Sequence, residues 1–280
     1  MKRLNILIVT IIAVLAASCG KKTDSRQVLM VSILPQKYAL EQIVGDKWDV
    51  ACMLEKATSA ESYDPEMSQM KKLETCRAYF LIGNLGFEQT VKGRLEGDAG
   101  KMLVDSSEGI DLIMEHAHGA DAEADPHVWM SVRNMRIIAR NMYRAVVAIS
   151  PADSAAFRKN YEKFDASLAA LDASLAAQLQ PAVGTTFVVW HPALSYFARD
   201  YRLRQMGIEH EGKETSLAHV GEVLASASAA GAKVYFRQEG ADERQAETVC
   251  SRIDLRRVEI NPLSYEWKKQ MQTIANGLTE

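Results

Sequence analysis

Two histidines, a glutamate and an asparagine fall just beyond apolar runs of this sequence. Glu61 lies in Ser59-Ala-Glu-Ser-Tyr-Asp-Pro65, after the run Val50 to Leu54. His127 lies in Ala124-Asp-Pro-His-Val-Trp-Met-Ser131, His191 directly follows Phe187-Val-Val-Trp190, and Asn261 follows Val258-Glu-Ile260 and precedes Pro262. Imidazole nitrogen and carboxylate oxygen are donors for divalent transition metals, whereas an amide oxygen is a neutral and weaker one. The four are 66, 64 and 70 residues apart, so no local chelate motif joins them. What they share is position, because in open α/β sheets the working residues lie just past the carboxyl ends of the strands. Gln238 and Glu239, past the run Val234 to Arg237, stand in the same relation and are reserve candidates. Residue type and position leave bland readings open as well. A histidine at a strand end serves equally as an ordinary hydrogen-bonding group, and Asn before Pro is a common turn former.

The elements that must position these residues are legible as strand, loop and helix in alternation. Strands are expected at Val28 to Ile33, Val50 to Leu54, Ala78 to Ile82 and Met102 to Val104. Helices are expected from Pro35 to about Val44, with Gly45 as its stop, and over Glu66 to Leu73. Short apolar runs separated by helices indicate a parallel α/β sheet. The middle of the chain differs. Phe157, Tyr161, Phe164, Leu168, Leu171 and Leu175 make one helical stripe from Pro151 to Leu179, through the repeated Asp165-Ala-Ser-Leu-Ala-Ala and Asp172-Ala-Ser-Leu-Ala-Ala. At 1.5 Å per residue this helix is roughly 43 Å long, enough to run the length of two domains. A coiled-coil partner is the rival reading. With only about four heptads and α/β units on both sides, an intramolecular strut is favoured. Beyond Pro181 the pattern restarts, with strands at Thr186 to Trp190, Arg204 to Ile208, Val234 to Arg237 and Val258 to Ile260. Helices fall over Ala193 to Tyr201, from Ser216 to near Gly231, from about Asp242, and after Pro262. The fold class expected is therefore α/β: two parallel-sheet lobes, 27–150 and 181–280, joined by one long helix, 151–180, with a ligand cleft between them.

Composition narrows the function. The chain has 280 residues, 48% of them hydrophobic, and a formal net charge of -3, with no electrostatic footprint for nucleic acid. The motifs HExxH, GxSxG, GxGxxG and the phosphate loop are missing, so the chain does not read as an enzyme. One membrane-directed stretch exists, at the start. Met1-Lys2-Arg3 precedes an apolar core, Ile6 to Leu15, and small residues, Ala16-Ala17-Ser18, precede Cys19. The apolar run is too short to span and has signal-peptide flanks. Its end resembles a bacterial lipobox. Residues 1–18 are thus expected to be cleaved, Cys19 to become the lipidated N-terminus, and 19–26 to form a tether. Cys52, Cys76 and Cys250 remain, an odd count that is no disulfide framework, with no CxxC pair and no Cys-His cluster. Cys52 and Cys76 could pair only if neighbouring strands bring them close.

Read in order, Val31-Ser-Ile-Leu-Pro-Gln-Lys-Tyr38, Glu61-Ser-Tyr-Asp-Pro65, Leu81-Ile-Gly83, Asp125-Pro-His-Val-Trp129, the long helix, His191-Pro-Ala193 with Tyr196-Phe-Ala-Arg-Asp200, Glu211-Gly-Lys-Glu214 and Asn261-Pro-Leu263 carry a family likeness. The sequence resembles the solute-binding proteins of bacterial zinc and manganese ABC importers, over nearly the whole mature chain. The resemblance implies a monomeric, lipid-anchored periplasmic receptor. It would hold Zn²⁺, or next Mn²⁺, as transported ligand between its lobes and deliver it to an inner-membrane permease. It implies His127 and His191 as metal ligands. Glu61 stands where the family most often has His, and Asn261 where it usually has Asp. Glu61 still ligates readily and hardens the donor set, while Asn261 or a water is expected as the fourth donor.

Several features fall outside that pattern. His116 and His118 lie in an acidic stretch that reads as a solvated loop, and His210 and His219 read as structural. Arg133, Arg136, Arg140 and Arg144 form a helical stripe, most simply a solvated face, with transporter docking as the lesser reading. Two other functions are consistent with a degenerate metal site: an adhesin-like lipoprotein, or a receptor for another solute.

Overall fold

The computed structural model of the chain describes residues 27–56, 59–98, 100–115, 123–209 and 216–280. The signal segment, Cys19, the tether, His116, His118 and His210 lie outside the described residues.

Two four-stranded parallel sheets are present. The first is built from β1 (Val28–Ile33), β2 (Asp49–Leu54), β3 (Cys76–Leu81) and β4 (Met102–Asp105), in the order β2-β1-β3-β4. Around it lie α1 (Leu34–Val44), α2 (Met67–Leu73) and α3 (Phe87–Leu95), the last of which the sequence reading did not anticipate. A two-residue antiparallel pair, β5 (Met114–Glu115) and β6 (Glu123–Ala124), follows. The second sheet is built from β7 (Thr186–Val189), β8 (Arg204–Gly207), β9 (Val234–Gln238) and β10 (Arg256–Ile260), in the order β10-β9-β7-β8. Counted within its own half, each sheet runs second, first, third, fourth strand. Each therefore has a switch point beside its first strand, where loops diverge and leave a crevice at the carboxyl ends.

Between the sheets lie α4 (Val132–Ile149) and α5 (Ser154–Leu179), the second preceded by a short 3-10 turn at Pro151–Asp153. Helix α5 is the expected strut, and Phe157, Phe164, Leu168 and Leu175 of the predicted stripe are buried. Helix α4 is capped by the Ser131 hydroxyl, which accepts from Asn134 N, and buries Met135, Ile138, Ala139 and Met142 on one face. Its arginine stripe is not simply solvated. Arg136 makes two bonds to Asp165, at 2.7 and 2.9 Å, and Arg133 meets Asp172 at 3.3 Å, so the aspartates of the two repeats pair with the stripe. The coiled-coil alternative is displaced because α4 occupies the face of α5 that a partner helix would need.

The C-terminal lobe adds α6 (Ser195–Tyr201), α7 (Leu217–Ala229), α8 (Glu243–Cys250) and α9 (Trp267–Thr279). His219 is exposed near the start of α7 rather than packed in a core. One continuous core runs from β1 through α4 and α5 into β7, β9 and α9, and a smaller cluster around Val188, Val220, Leu224 and Tyr235 sits on the C-terminal sheet. Polar bonds stitch the halves together: Trp129 Nε1 donates to Pro262 O at 2.9 Å, Trp267 Nε1 to Trp129 O at 2.8 Å, and Tyr196 Oη to Asp125 O at 2.9 Å. Cys52 and Cys76 lie on β2 and β3, with β1 between them, and both are buried free thiols. Two interstrand spacings put them roughly 10 Å apart, too far for a disulfide. No helix among the described residues is long and apolar enough to cross a membrane.

Candidate metal centre

Glu61 is carried by the loop after β2. Tyr63 Oη donates to Met53 O at 3.0 Å and Gln69 Nε2 to the same oxygen at 2.7 Å, tying the loop back to the strand end. The Tyr63 ring stands edge-on to Phe87, 5.1 Å away. Glu61 thereby faces the opposite lobe. His127 sits on a tight turn made by its own neighbour: Asp125 Oδ1 accepts from His127 N at 2.8 Å and from the ring Nδ1 at 3.0 Å. Buried Val128, Trp129 and Met130 anchor the chain immediately after it. His191 follows β7, in a turn closed by Ala193 N donating to His191 O at 2.8 Å. That turn lies against β8 at Gly207, where a β-carbon would come within 3.0 Å of Pro192 Cβ. On the outer side of the ring, His191 Nδ1 lies 3.5 Å from Glu209 Oε2.

Three of the four predicted residues converge. His127 Nε2 and His191 Nε2 are 3.2 Å apart, and Glu61 Oε1 lies 3.8 Å from the first and 3.5 Å from the second. One point lies about 2 Å from all three atoms, which is the distance Zn²⁺ keeps to imidazole nitrogen and carboxylate oxygen, roughly 2.0–2.2 Å. Among the described residues this is the one group of three His, Cys, Asp or Glu side chains whose donor atoms all lie within 4.8 Å of one another. The triangle lies in a cleft of about 460 Å³ walled by Trp129, Trp190, Pro262 and Leu263 and lined also by Glu209, Gln238, Glu239 and Asp242. Asn261 is not in the triangle. Its Oδ1 accepts from Leu263 N at 2.9 Å, and its Nδ2 donates to Glu239 Oε2 at 3.1 Å.

The electrostatics follow from this packing. Burial alone would push His191 down, but hydrogen bonds and charge from Glu209 and Glu61 outweigh it and raise the ring to about 10. Burial alone would raise Glu61, but the bond to His191 and the charges of both histidines hold it below the usual glutamate range. Asp125 behaves likewise: burial opposes ionisation, while the ring and main-chain N–H of His127 keep the carboxyl low. Each histidine thus has a carboxylate behind it, which fixes the proton on Nδ1 and aims Nε2 into the cleft. The sequence reading named neither carboxylate for this role. Asp125 was findable from its place two residues before His127. Glu209 was findable from its place just past β8, next to the strand that carries His191.

The family model described as "Zinc-uptake complex component A periplasmic" matches residues 29–278. The chain belongs to this family. Its fold is that of the family's solved members: a crystal structure of ZnuA superposes with a TM-score of 0.82 at 31% identity, covering 91% of this chain and 100% of that one. The manganese complex of the solute-binding protein FpvC from Pseudomonas aeruginosa shares the fold at 20% identity, with a TM-score of 0.79 over 91% of this chain and 99% of that one. Among curated proteins, the zinc-binding lipoprotein AdcA of Streptococcus pneumoniae is 25% identical over 94% of this chain and 56% of its own length. A putative metal-binding protein of Chlamydia trachomatis is 28% identical over 70% of this chain and 69% of its own. The chain thus spans about half the length of the AdcA relatives it matches. The family is the solute-binding component of metal transport systems, a binding role rather than a catalytic one.

Proposed function

We propose that this protein captures Zn²⁺ in the interlobe cleft, with Glu61, His127 and His191 as ligands, and passes it to an inner-membrane ABC permease. The observation that carries the reading is the triangle of donor atoms, 3.2, 3.5 and 3.8 Å on a side, with its carboxylate-backed histidines. Two imidazoles and one carboxylate suit a tetrahedral zinc ion, and Mn²⁺, which prefers more oxygen donors, is second. Family membership and the zinc-binding relatives support the same cargo. The lipobox-like Ala16-Ala17-Ser18-Cys19 supports anchoring through lipidated Cys19 and placement in the periplasm.

Elemental analysis of the purified protein after zinc or manganese loading tests the reading, alongside Glu61→Ala, His127→Ala and His191→Ala. One equivalent of metal, with zinc the tighter and each substitution weakening it, is the expected result. Undiminished binding in the His127 and His191 variants would refute it.

A further inference from the structure

The triangle supplies two nitrogens and one oxygen, and a tetrahedral ion takes a fourth donor. We infer that Glu239 is that donor, turning inward from the cleft wall as the ion arrives, and that Asn261 holds Glu239 ready rather than ligating. This rests on the proposed ligation by Glu61, His127 and His191.

The parallel register of β9 and β10 aligns Gln238 with Ile260, and Glu239 N donates to Ile260 O at 2.8 Å. Glu239 and Asn261 therefore stand side by side just past the carboxyl ends of paired strands. Only one of them is chemically available. Both ends of the Asn261 amide are engaged, Oδ1 by Leu263 N and Nδ2 by Glu239. Turning Oδ1 to a metal would open the turn that sets Pro262, the residue whose carbonyl Trp129 binds. An amide oxygen would be a weak return for that loss.

Glu239, by contrast, lines the same cleft as the triangle, which Asn261 does not. Among the described residues, the Asn261 amide is the one side-chain partner of its carboxylate. The arginines of this region are already committed: Arg237 to Glu259 at 2.7 Å and Glu243 at 3.0 Å, Arg244 to Asp242 at 2.6 Å, and Arg257 to Glu259 at 2.7 Å. The Glu239 carboxylate is thus exposed at the cleft and, among the described residues, has no counter-ion and one neutral side-chain hydrogen bond. An incoming dication exchanges that bond for a metal bond. Among groups able to touch the ion directly, Glu61 is the one carboxylate of the triangle, and Glu239 would add a second anionic oxygen donor. Glu239 lies outside the 4.8 Å donor group in the structure, so the side chain must swing, and Gly240, at φ 79°, follows it.

The test uses the mature chain loaded with Zn²⁺ for affinity and with Co²⁺ as a spectroscopic stand-in. Glu239→Gln should lose at least about tenfold in Zn²⁺ affinity, the scale expected when a metal site loses a supporting group or more, and should change the Co²⁺ visible bands. Asn261→Ala should change the bands little. A Glu239→Gln protein matching wild type in both affinity and spectrum overturns the inference while leaving the three-ligand site standing. So does an Asn261→Ala protein that loses both while Glu239→Gln keeps them. A wild-type protein that binds neither ion overturns the parent reading itself.

Discussion

His127 Nε2 and His191 Nε2 lie 3.2 Å apart although 64 residues, including the whole long helix, separate them in the chain. Two ring nitrogens this close need one proton between them. Asp125 holds the His127 proton on Nδ1, leaving its Nε2 as acceptor, and His191, flanked by Glu61 and Glu209, supplies the N–H. A proton and a metal ion would therefore compete for the same pair of nitrogens.

The pH dependence follows. A histidine unfolds to an ordinary pKa of about 6.5, whereas folded His191 is raised to about 10. Its stabilising contribution is fully present below about pH 6.5 and is lost as pH rises through about 10. The melting temperature of metal-free protein should therefore fall across that window, and His191→Ala should flatten the fall. Zinc affinity should keep rising above neutrality, with about one proton released per ion, measurable by calorimetry in buffers of different ionisation enthalpy. An isolated imidazole would centre the dependence near 6.5. The paired carboxylates move it upward. A flat melting profile would contradict the assignment.

Gly207→Ala should weaken metal binding without unfolding the protein. The new methyl group would meet Pro192 Cβ at 3.0 Å, and the neighbour can give way only by shifting the turn that carries His191. About a tenfold loss of zinc affinity is expected, since small displacements of a ligand are costly in a preset site. Circular dichroism and competition titration, run together, separate this from global damage.

Lobe closure on metal binding should be small. Trp129, Trp267 and Tyr196 lock the halves together beside the cleft, and α5 is a stiffer link than crossing strands. Scattering profiles of metal-free and loaded protein should nearly superimpose, and a large compaction on loading would refute this. Trp129→Phe removes the donor to Pro262 O and should cost about 1–3 kcal/mol, read by denaturant unfolding.

Thiol titration of protein beginning after Cys19 should find one fast group and two slow ones. Cys250 is exposed, whereas burial pushes the Cys52 thiol up to about 12 and the Cys76 thiol up to about 11. Cys52 and Cys76 should react only on denaturation. A missing pair of thiols in denatured protein would mean a disulfide that the strand order forbids.

What could be read in the chain was whatever depends on neighbours in sequence. Alternating apolar runs and helical stripes gave two parallel α/β halves and the strut, and the strand-end rule brought Glu61, His127, His191 and Asn261 into view together. The family likeness gave them a shared purpose. Helix α3, with Phe87, Val91 and Leu95 buried and a short polar sequence between them, was too brief for its period to stand out. The pairing of Arg133 and Arg136 with Asp172 and Asp165 was invisible because it joins two helices.

Tertiary structure alone decided which candidates meet. Distances of 3.2 to 3.8 Å between atoms more than sixty residues apart are set by how two sheets pack on one pair of helices, and no local pattern encodes that. The same packing turned the Asn261 amide into its own turn, put β1 between Cys52 and Cys76, and placed Glu209 behind His191. Sequence determined which groups could ligate and where along the strands they stand, because residue type and periodicity are local. Folding determined which lone pairs face a common point, because orientation depends on long-range contacts.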